Sequence, residues 1–561
     1  MRVIQTVIPR TVGELRDDGG TAPSPGEIYP ASAGVQPAHR WTTLGTARAV
    51  AAVAGLAVIG AYVSIALARL SYPGHLEILE ENSLVEVHRI LAGQQLYPAP
   101  SASFVPDGYT PLYFAFSAGL ASVLGQSYLP LRLVSLVASL VCFAILGRLV
   151  HDETRSRAAG MAAAGLLAAT YFAAGTWFDV ARVDSLFLAL SVAGLYAARR
   201  ADRTGGAVAA GLLLGAAFCT KQAALVESVA VLAALAAGPR RRLAAVAAAA
   251  WTGVVGGSTL TLGLASHGWY VYYVFEQMSQ HALSASNASQ FWVGELLPTL
   301  GIAICAALLE ARRMPPVLLA GCTALAVEAF AARAETGSNL NDLLPVYMTV
   351  AVLAGVAMGG QPTLSPRVAA GRFARPARLA RFRQRRHSTG RRWIPVVVTG
   401  LVIVQIGVLA SGFRLSQAFP PSADRIAGQR LVTAARALGG TVAVPAAPGI
   451  AVTAGLPPTE DMVAAADVLH ASNQSAKTIF TTSLAQAVAA QEFSAIITEF
   501  YWDLRGFPVD LPRYYHRCPQ MPLDGVLSVP FSANAKALPV SVWLPIGRGP
   551  SCAAVVRMLD S

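Results

Sequence analysis

Between residues 47 and 412 the sequence alternates apolar runs with short polar links, a pattern with no stable folded form in water. The runs lie at 47–70, 130–150, 157–176, 185–198, 206–220, 222–237, 243–265, 293–310, 315–332, 343–358 and 393–412. A helix needs ~20 apolar residues to cross the hydrocarbon core, so the shorter runs are expected to extend into their flanks. Hydrophobic residues make up 54% of the 561 and charged residues 13%, against the ~25% charged share of an average soluble domain. The pattern predicts an α-helical polytopic membrane protein with about eleven transmembrane helices.

Charge sets the orientation. The net charge of +12 sits in arginine clusters between alternate runs. With residues 1–46 inside, the cytoplasmic links hold Arg148, Arg155 and Arg157; Arg199, Arg200 and Arg203; Arg240, Arg241 and Arg242; Arg312 and Arg313; and ten arginines between 359 and 392. The opposite links are rich in Trp, Tyr, Asp, Glu and Asn, as the positive-inside rule requires. No basic face is interleaved with stacking aromatics, so nucleic acid is not expected as a partner. Residues 1–46 lack an apolar signal-peptide core and read as a disordered cytoplasmic tail. The reading places the chain in the plasma (inner) membrane, with its N-terminus cytoplasmic.

The same accounting treats 109–125 as a juxtamembrane or re-entrant element on the outer face, because a crossing there would invert every later basic link. The transmembrane unit then spans 47–412, with a first outer loop at 71–129. Residues 413–561 read as a soluble, extracytoplasmic α/β domain: TVAVPAA (441–447) and SAIITEF (494–500) are strand-like, and 483–491 has helical spacing. Cys518 and Cys552 are the cysteine pair in this part, and the sequence leaves open whether they are bonded or separate buried thiols.

Five groups of residues could carry chemistry. The first outer loop presents Glu77, Glu80 and Glu81, where a carboxylate can accept a proton from a hydroxyl; the alternative is that the three merely favour a helix start. Asp179, Arg182 and Asp184 lie at the outer junction of two runs, either as a mutual pair or with Arg182 aimed at a phosphate. Lys221 is the sole lysine in the first 470 residues, suited to a phosphate or to snorkelling at the interface. The loop 268–292 offers Glu276 and His281 among aromatics that either wall a pocket or form an interfacial belt. Asn339 and Asn341, beside Asp342, suit hydroxyl recognition or helix capping. No metal spacing, P-loop or dinucleotide fingerprint is present. No cofactor is expected, and nothing indicates a divalent cation.

The series HRILAGQQLYPAP, Tyr109 to Tyr113, Arg132 to Ser135, Ala181 to Asp184, Thr220 to Ala224 and Gly337 to Asn341 resembles the GT-C superfamily of membrane glycosyltransferases. The nearest group is that of the protein O-mannosyltransferases and aminoarabinose transferases. The resemblance implies transfer of a sugar from a polyprenyl-phosphate donor to a glycan, lipid or protein acceptor of the cell envelope, at the outer face and with inversion. It implies a first-loop carboxylate as base. Counting back from Gly93 matches Glu80, with Glu81 as alternate, since this chain reads Glu-Glu where the family has Asp-Glu or a single Glu. Lys221 and Arg182 would contact the carrier phosphate. Asp184, Asp179, Tyr109, Tyr113, Glu276, His281, Asn339 and Asn341 would line the substrate site. A transporter or lipid flippase would explain the spans but not the long acidic loop, and a non-catalytic scaffold would explain the outer domain alone.

Overall fold

A computed structural model describes residues 43–309, 314–359, 393–414, 418–419, 422–499, 509–518 and 540–560. Most of the expected N-terminal tail, Arg312 and Arg313, and the arginine-rich link beyond Gly359 lie outside the described residues. The residues from Thr43 onward form one compact unit.

The first thirteen long helices are α1 (Thr43–Leu70), α2 (Glu80–Leu91), α3 (Leu112–Leu124), α4 (Tyr128–Thr154), α5 (Arg157–Ala169), α6 (Asp184–Arg200), α7 (Thr204–Thr220), α8 (Ala224–Ala237), α9 (Arg241–Ala265), α10 (Ala285–Leu308), α11 (Pro316–Arg333), α12 (Leu340–Ala357) and α13 (Ile394–Ser411). Seven of them, α1, α4 and α9 to α13, are long and apolar enough to cross a membrane. The expected count of eleven is therefore not matched by length. The runs at 157–176, 185–198, 206–220 and 222–237 fold as helices of 13, 17, 17 and 14 residues, short of the ~20 a lone crossing needs. The first of them stops early because the chain breaks into turns from Thr170 to Val183, with Gly175 and Thr176 at positive φ. The ambiguous run 109–125 becomes α3, whose 13 residues reach only ~20 Å at 1.5 Å per residue.

Small residues let the helices approach closely. A Cβ on Gly165 of α5 would sit 2.0 Å from the Gly55 Cα of α1, so these two backbones touch directly. This packing anchors α1, and the turn that leaves its end at Leu70 carries the first acidic cluster.

After α13 the chain forms α14 (Ser422–Leu438), β1 (Thr441–Ala443), α15 (Gly449–Ala454), α16 (Met462–His470), α17 (Gln474–Ala489), β2 (Phe493–Glu499), β3 (Tyr515–Arg517), β4 (Val540–Pro545) and α18 (Cys552–Asp560). The sheet order is β1-β2-β4-β3, parallel between β1 and β2 and antiparallel elsewhere. Val442, Ala495, Ile497, Val542 and Leu544 pack against Leu431 of α14 and Val555 of α18. Phe493 and Ile496 join Phe480 and Leu484 of α17 and Val468 of α16 in a second core. Tyr97, Val105, Tyr270 and Tyr273 belong to that same core, so the sheet's helices are seated on the first long loop and on the segment after α9. Cys518 and Cys552 are joined as a disulfide.

Candidate active site

The site is built around the turn from Tyr72 to Glu80, which leads from α1 into α2. Arg132, near the start of α4, is fully buried, and a charge there is tolerated only if paired and hydrogen-bonded. Its Nε and Nη2 reach Glu80 Oε1 and Oε2 at 3.0 and 2.6 Å, and it donates to the carbonyls of Tyr72 and Gly74, both at 2.6 Å. Glu80 also accepts from Leu76 N at 2.6 Å and Ala181 N at 2.5 Å. Burial would raise its carboxyl, but Arg132 and these bonds hold it below the usual range. Each Glu80 oxygen thus accepts from two donors, and its position ties the turn, α4 and the 170–183 segment together.

Glu81 faces the other way. It accepts from Tyr128 Oη at 2.6 Å and Gly449 N at 2.8 Å, and lies 2.6 Å from His75 Nδ1. Gly449 begins α15, so this carboxylate links the first loop to the sheet-bearing part. A Cβ on Gly449 would meet Glu81 Oε2 at 2.5 Å and Tyr128 Oη at 2.6 Å. Gly449→Ala is therefore expected to force these groups apart and to lower the melting temperature by several degrees, on the scale of an overpacked core position, ~1–3 kcal/mol. Scanning calorimetry in detergent checks this, and an unchanged Tm would show that the junction is loose.

Glu77 differs from both neighbours. It is buried, its Oε2 accepts from Leu79 N at 3.0 Å, and its Oε1 has no hydrogen-bond partner among the described residues. Burial pushes its carboxyl up to about 7, against the pull of Arg182. Arg182 Nε lies 4.0 Å from Glu77, and its Nη1 lies 3.8 Å from Asp107. Its Nη2 donates to Tyr109 Oη at 2.8 Å, with the ring of Tyr109 under the guanidinium at 4.9 Å. Arg182 Nε and Nη1 are without hydrogen-bond partners among the described residues, as is Asp107 Oδ2. A buried guanidinium with two unused donor groups beside a carboxyl with one unused oxygen can meet an anion and a hydroxyl together.

Lys221, in the turn between α7 and α8, lies 3.0 Å from Asp184 and 3.4 Å from Asp342. Asn341 Nδ2 donates to Asp184 Oδ1 at 3.2 Å. The structure thus brings Arg182, Asp184, Lys221 and Asn341 together beside Tyr109 of the first loop. Lys221 is matched by two carboxylates, so direct contact with a phosphate requires it to leave one of them.

Other expected residues are engaged elsewhere. Asp179 lies 3.5 Å from Arg69 and accepts from Tyr171, so its ion-pair partner is Arg69 of α1 and not the neighbouring Arg182. Tyr113 donates to the Leu131 carbonyl inside the packing of α3 against α4. Asn339 caps the helical turn that begins at Leu340. Glu276 accepts from Asn473, and His281 lies between Glu335 at 3.6 Å and Asp467 at 3.4 Å. Hydrogen bonds to Asp467 and Glu335 hold His281 up to about 10, so it is a cation at neutral pH and fastens the 268–292 loop to α16. Each of these five residues has a partner in the surrounding fold, although Asp179 Oδ2 lacks a hydrogen bond among the described residues.

Asp107 and Arg132 were not singled out as site residues in the sequence. Asp107 lies in an irregular stretch where no spacing rule applies. Arg132 did carry a signal: an arginine one turn inside an apolar run demands a buried acid.

Residues 107–270 match the family described as dolichyl-phosphate-mannose-protein mannosyltransferase. This segment contains Asp107, Tyr109, Arg132, Arg182, Asp184 and Lys221, but not the three glutamates. The fold is similar to that of ArnT from Cupriavidus metallidurans bound to undecaprenyl phosphate, with a TM-score of 0.57, 14% identity, and coverage of 88% of this chain and 99% of that one. The apo state of the same protein gives 0.56 and 13%, covering 87% and 97%. The archaeal oligosaccharyltransferase AglB from Archaeoglobus fulgidus gives 0.48 and 12%, covering 83% and 73%. No curated protein sequence matches the chain.

Proposed function

We propose that this chain, whose fold is similar to that of ArnT and whose residues 107–270 match a mannosyltransferase family, is a membrane glycosyltransferase of the GT-C type that transfers a sugar from a polyprenyl-phosphate donor to a hydroxyl of a cell-envelope glycan, lipid or protein. The observation that carries the reading is the pairing of Glu77, with one unused oxygen, and Arg182, with two unused donor groups. Glu77 takes the proton from the acceptor hydroxyl as the new oxygen–carbon bond forms at the anomeric carbon. The bond from that carbon to the carrier phosphate breaks, and the polyprenyl phosphate leaves with the electron pair. Arg182 offsets the charge gathering on the phosphate in a site where water is scarce.

Tyr109 holds Arg182 in place. Lys221 acts through the Asp184 and Asp342 pairs, keeping the wall of the phosphate site rigid. Glu80 and Glu81 are positioning residues in this account, the first through Arg132 and the second through Gly449. Undecaprenyl phosphate bound to the similarly folded ArnT supports a polyprenyl carrier here. The loop 71–127, the Lys221 turn and the sheet-bearing part face the outer side in this account, as the arginine distribution favours.

The pH dependence tests the base. A carboxyl titrating at about 7 is a competent base only when deprotonated. Turnover at saturating donor is therefore expected to rise through pH 7 and level off about one unit above it. A rate flat from pH 5.5 to 8.5 with a soluble acceptor analogue would rule Glu77 out.

A further inference from the structure

A cavity of about 400 Å³ lies between the first loop and helices α14 and α15. Its lining does not include Glu77, Tyr109 or Arg182; the two places are linked through the Glu80–Arg132 bridge, which bonds the carbonyls of Tyr72 and Gly74 on the cavity wall and Ala181 N next to Arg182. Its walls combine the aromatic rings of Tyr72 and Tyr128 with the side chains of Gln429 and Thr433. Flat apolar faces beside hydroxyl and amide groups suit the alternating C–H and O–H surfaces of a sugar ring.

The charge of the cavity is lopsided. Arg425 lies over the Tyr72 ring, 5.9 Å from its centre, and has no ion pair among the described residues. Arg436 donates to the carbonyls of Thr453 and Ala454 and has no ion pair among the described residues. Glu81, the acid of the wall among the described residues, already accepts from Tyr128 and Gly449 N and contacts His75. Among the described residues, two guanidinium groups therefore line the cavity with no free carboxylate beside them.

We propose that this cavity binds a saccharide unit carrying one anionic group, carboxylate or phosphate, with Arg425 and Arg436 on the anion and the tyrosines against the ring. The assignment rests on the glycosyltransferase reading in one respect: the bound unit is taken as a distal sugar of the acceptor, held apart from the reacting hydroxyl.

The test measures binding without donor, on the full-length protein in zwitterionic nanodiscs, by saturation-transfer NMR titration. The probes are methyl glucuronide, glucosyl phosphate, methyl glucoside and inorganic phosphate. Both charged sugars are expected to bind about 10-fold or more tightly than the neutral glucoside, the scale of one charge-assisted contact, and Arg425→Gln is expected to remove that preference. The glucuronide and glucosyl phosphate arms show which anion is favoured. Equal binding of the neutral sugar, an unchanged preference in both Arg425→Gln and Arg436→Gln, or inorganic phosphate binding as tightly as the sugar phosphate would overturn the proposal. Glu77→Gln should bind these probes normally. If that variant also turns over normally, the proposed chemistry fails while the cavity assignment stands.

Discussion

Glu77→Gln is expected to lower turnover by about 10²–10⁴-fold, the usual weight of a general base, while donor affinity stays within a few-fold. The amide is nearly isosteric and can still accept from Leu79 N, so the turn should keep its shape. The discriminating comparison is with the neighbouring glutamates. Glu80→Gln leaves Arg132 short of its counter-charge in a fully buried place, so its loss should appear first in stability and yield. Glu81→Gln should loosen the contact with Gly449 and lower Tm more than it lowers the rate of folded enzyme. Stopped-flow or quenched single-turnover kinetics, normalised to folded protein, separate the three. Full activity in Glu77→Gln together with a dead but stable Glu80→Gln would return the role of base to Glu80.

Arg132→Leu is the substitution with the largest expected effect on folding. It strands the Glu80 carboxylate with no cation and releases two loop carbonyls. Breaking a buried ion pair from one side costs about 3–5 kcal/mol, enough to abolish the folded protein or to lower Tm by many degrees. Removing both charges in Arg132→Leu/Glu80→Leu should recover a large part of that loss, because the pair carries its own desolvation cost. Thermal unfolding followed by intrinsic fluorescence in detergent reads both variants. An unchanged Tm in the single variant would mean that the pair is hydrated and is not the pin of the turn.

These expectations show where the sequence was legible. Apolar run lengths and arginine placement announce a helical membrane protein before any fold is known, since bilayer thickness and loop charge act on composition alone. The sheet of the α/β part was also readable in outline, because 441–447 and 494–500 are short apolar stretches flanked by turns. The number of crossings was not. Apolar runs record burial without saying whether lipid or protein does the burying, and α5 to α8 are shorter than the bilayer. Arg182 and Lys221 stood out because cations in apolar surroundings need partners.

The choice among Glu77, Glu80 and Glu81 was not readable. Position relative to Gly93 favours Glu80, whereas the proposal of Glu77 starts from Arg132 and Ala181 N, which reach Glu80 from 52 and 101 residues away. Glu77 becomes distinctive only when its oxygen is found unused beside Arg182. Asn339 followed the simpler of its two readings, because a capping side chain satisfies the backbone at no extra cost.

The most direct test of the central claim is the fate of the donor's sugar–phosphate bond. Purified full-length protein in nanodiscs should be given a panel of polyprenyl-phosphate sugars with an envelope extract as acceptor. Free polyprenyl phosphate and sugar-labelled acceptor are then measured by mass spectrometry. The account predicts stoichiometric release of polyprenyl phosphate from at least one donor, abolished in Glu77→Gln and restored in no variant lacking Arg182. Movement of an intact donor across the bilayer, with no carrier released under any donor and acceptor pairing, would contradict it.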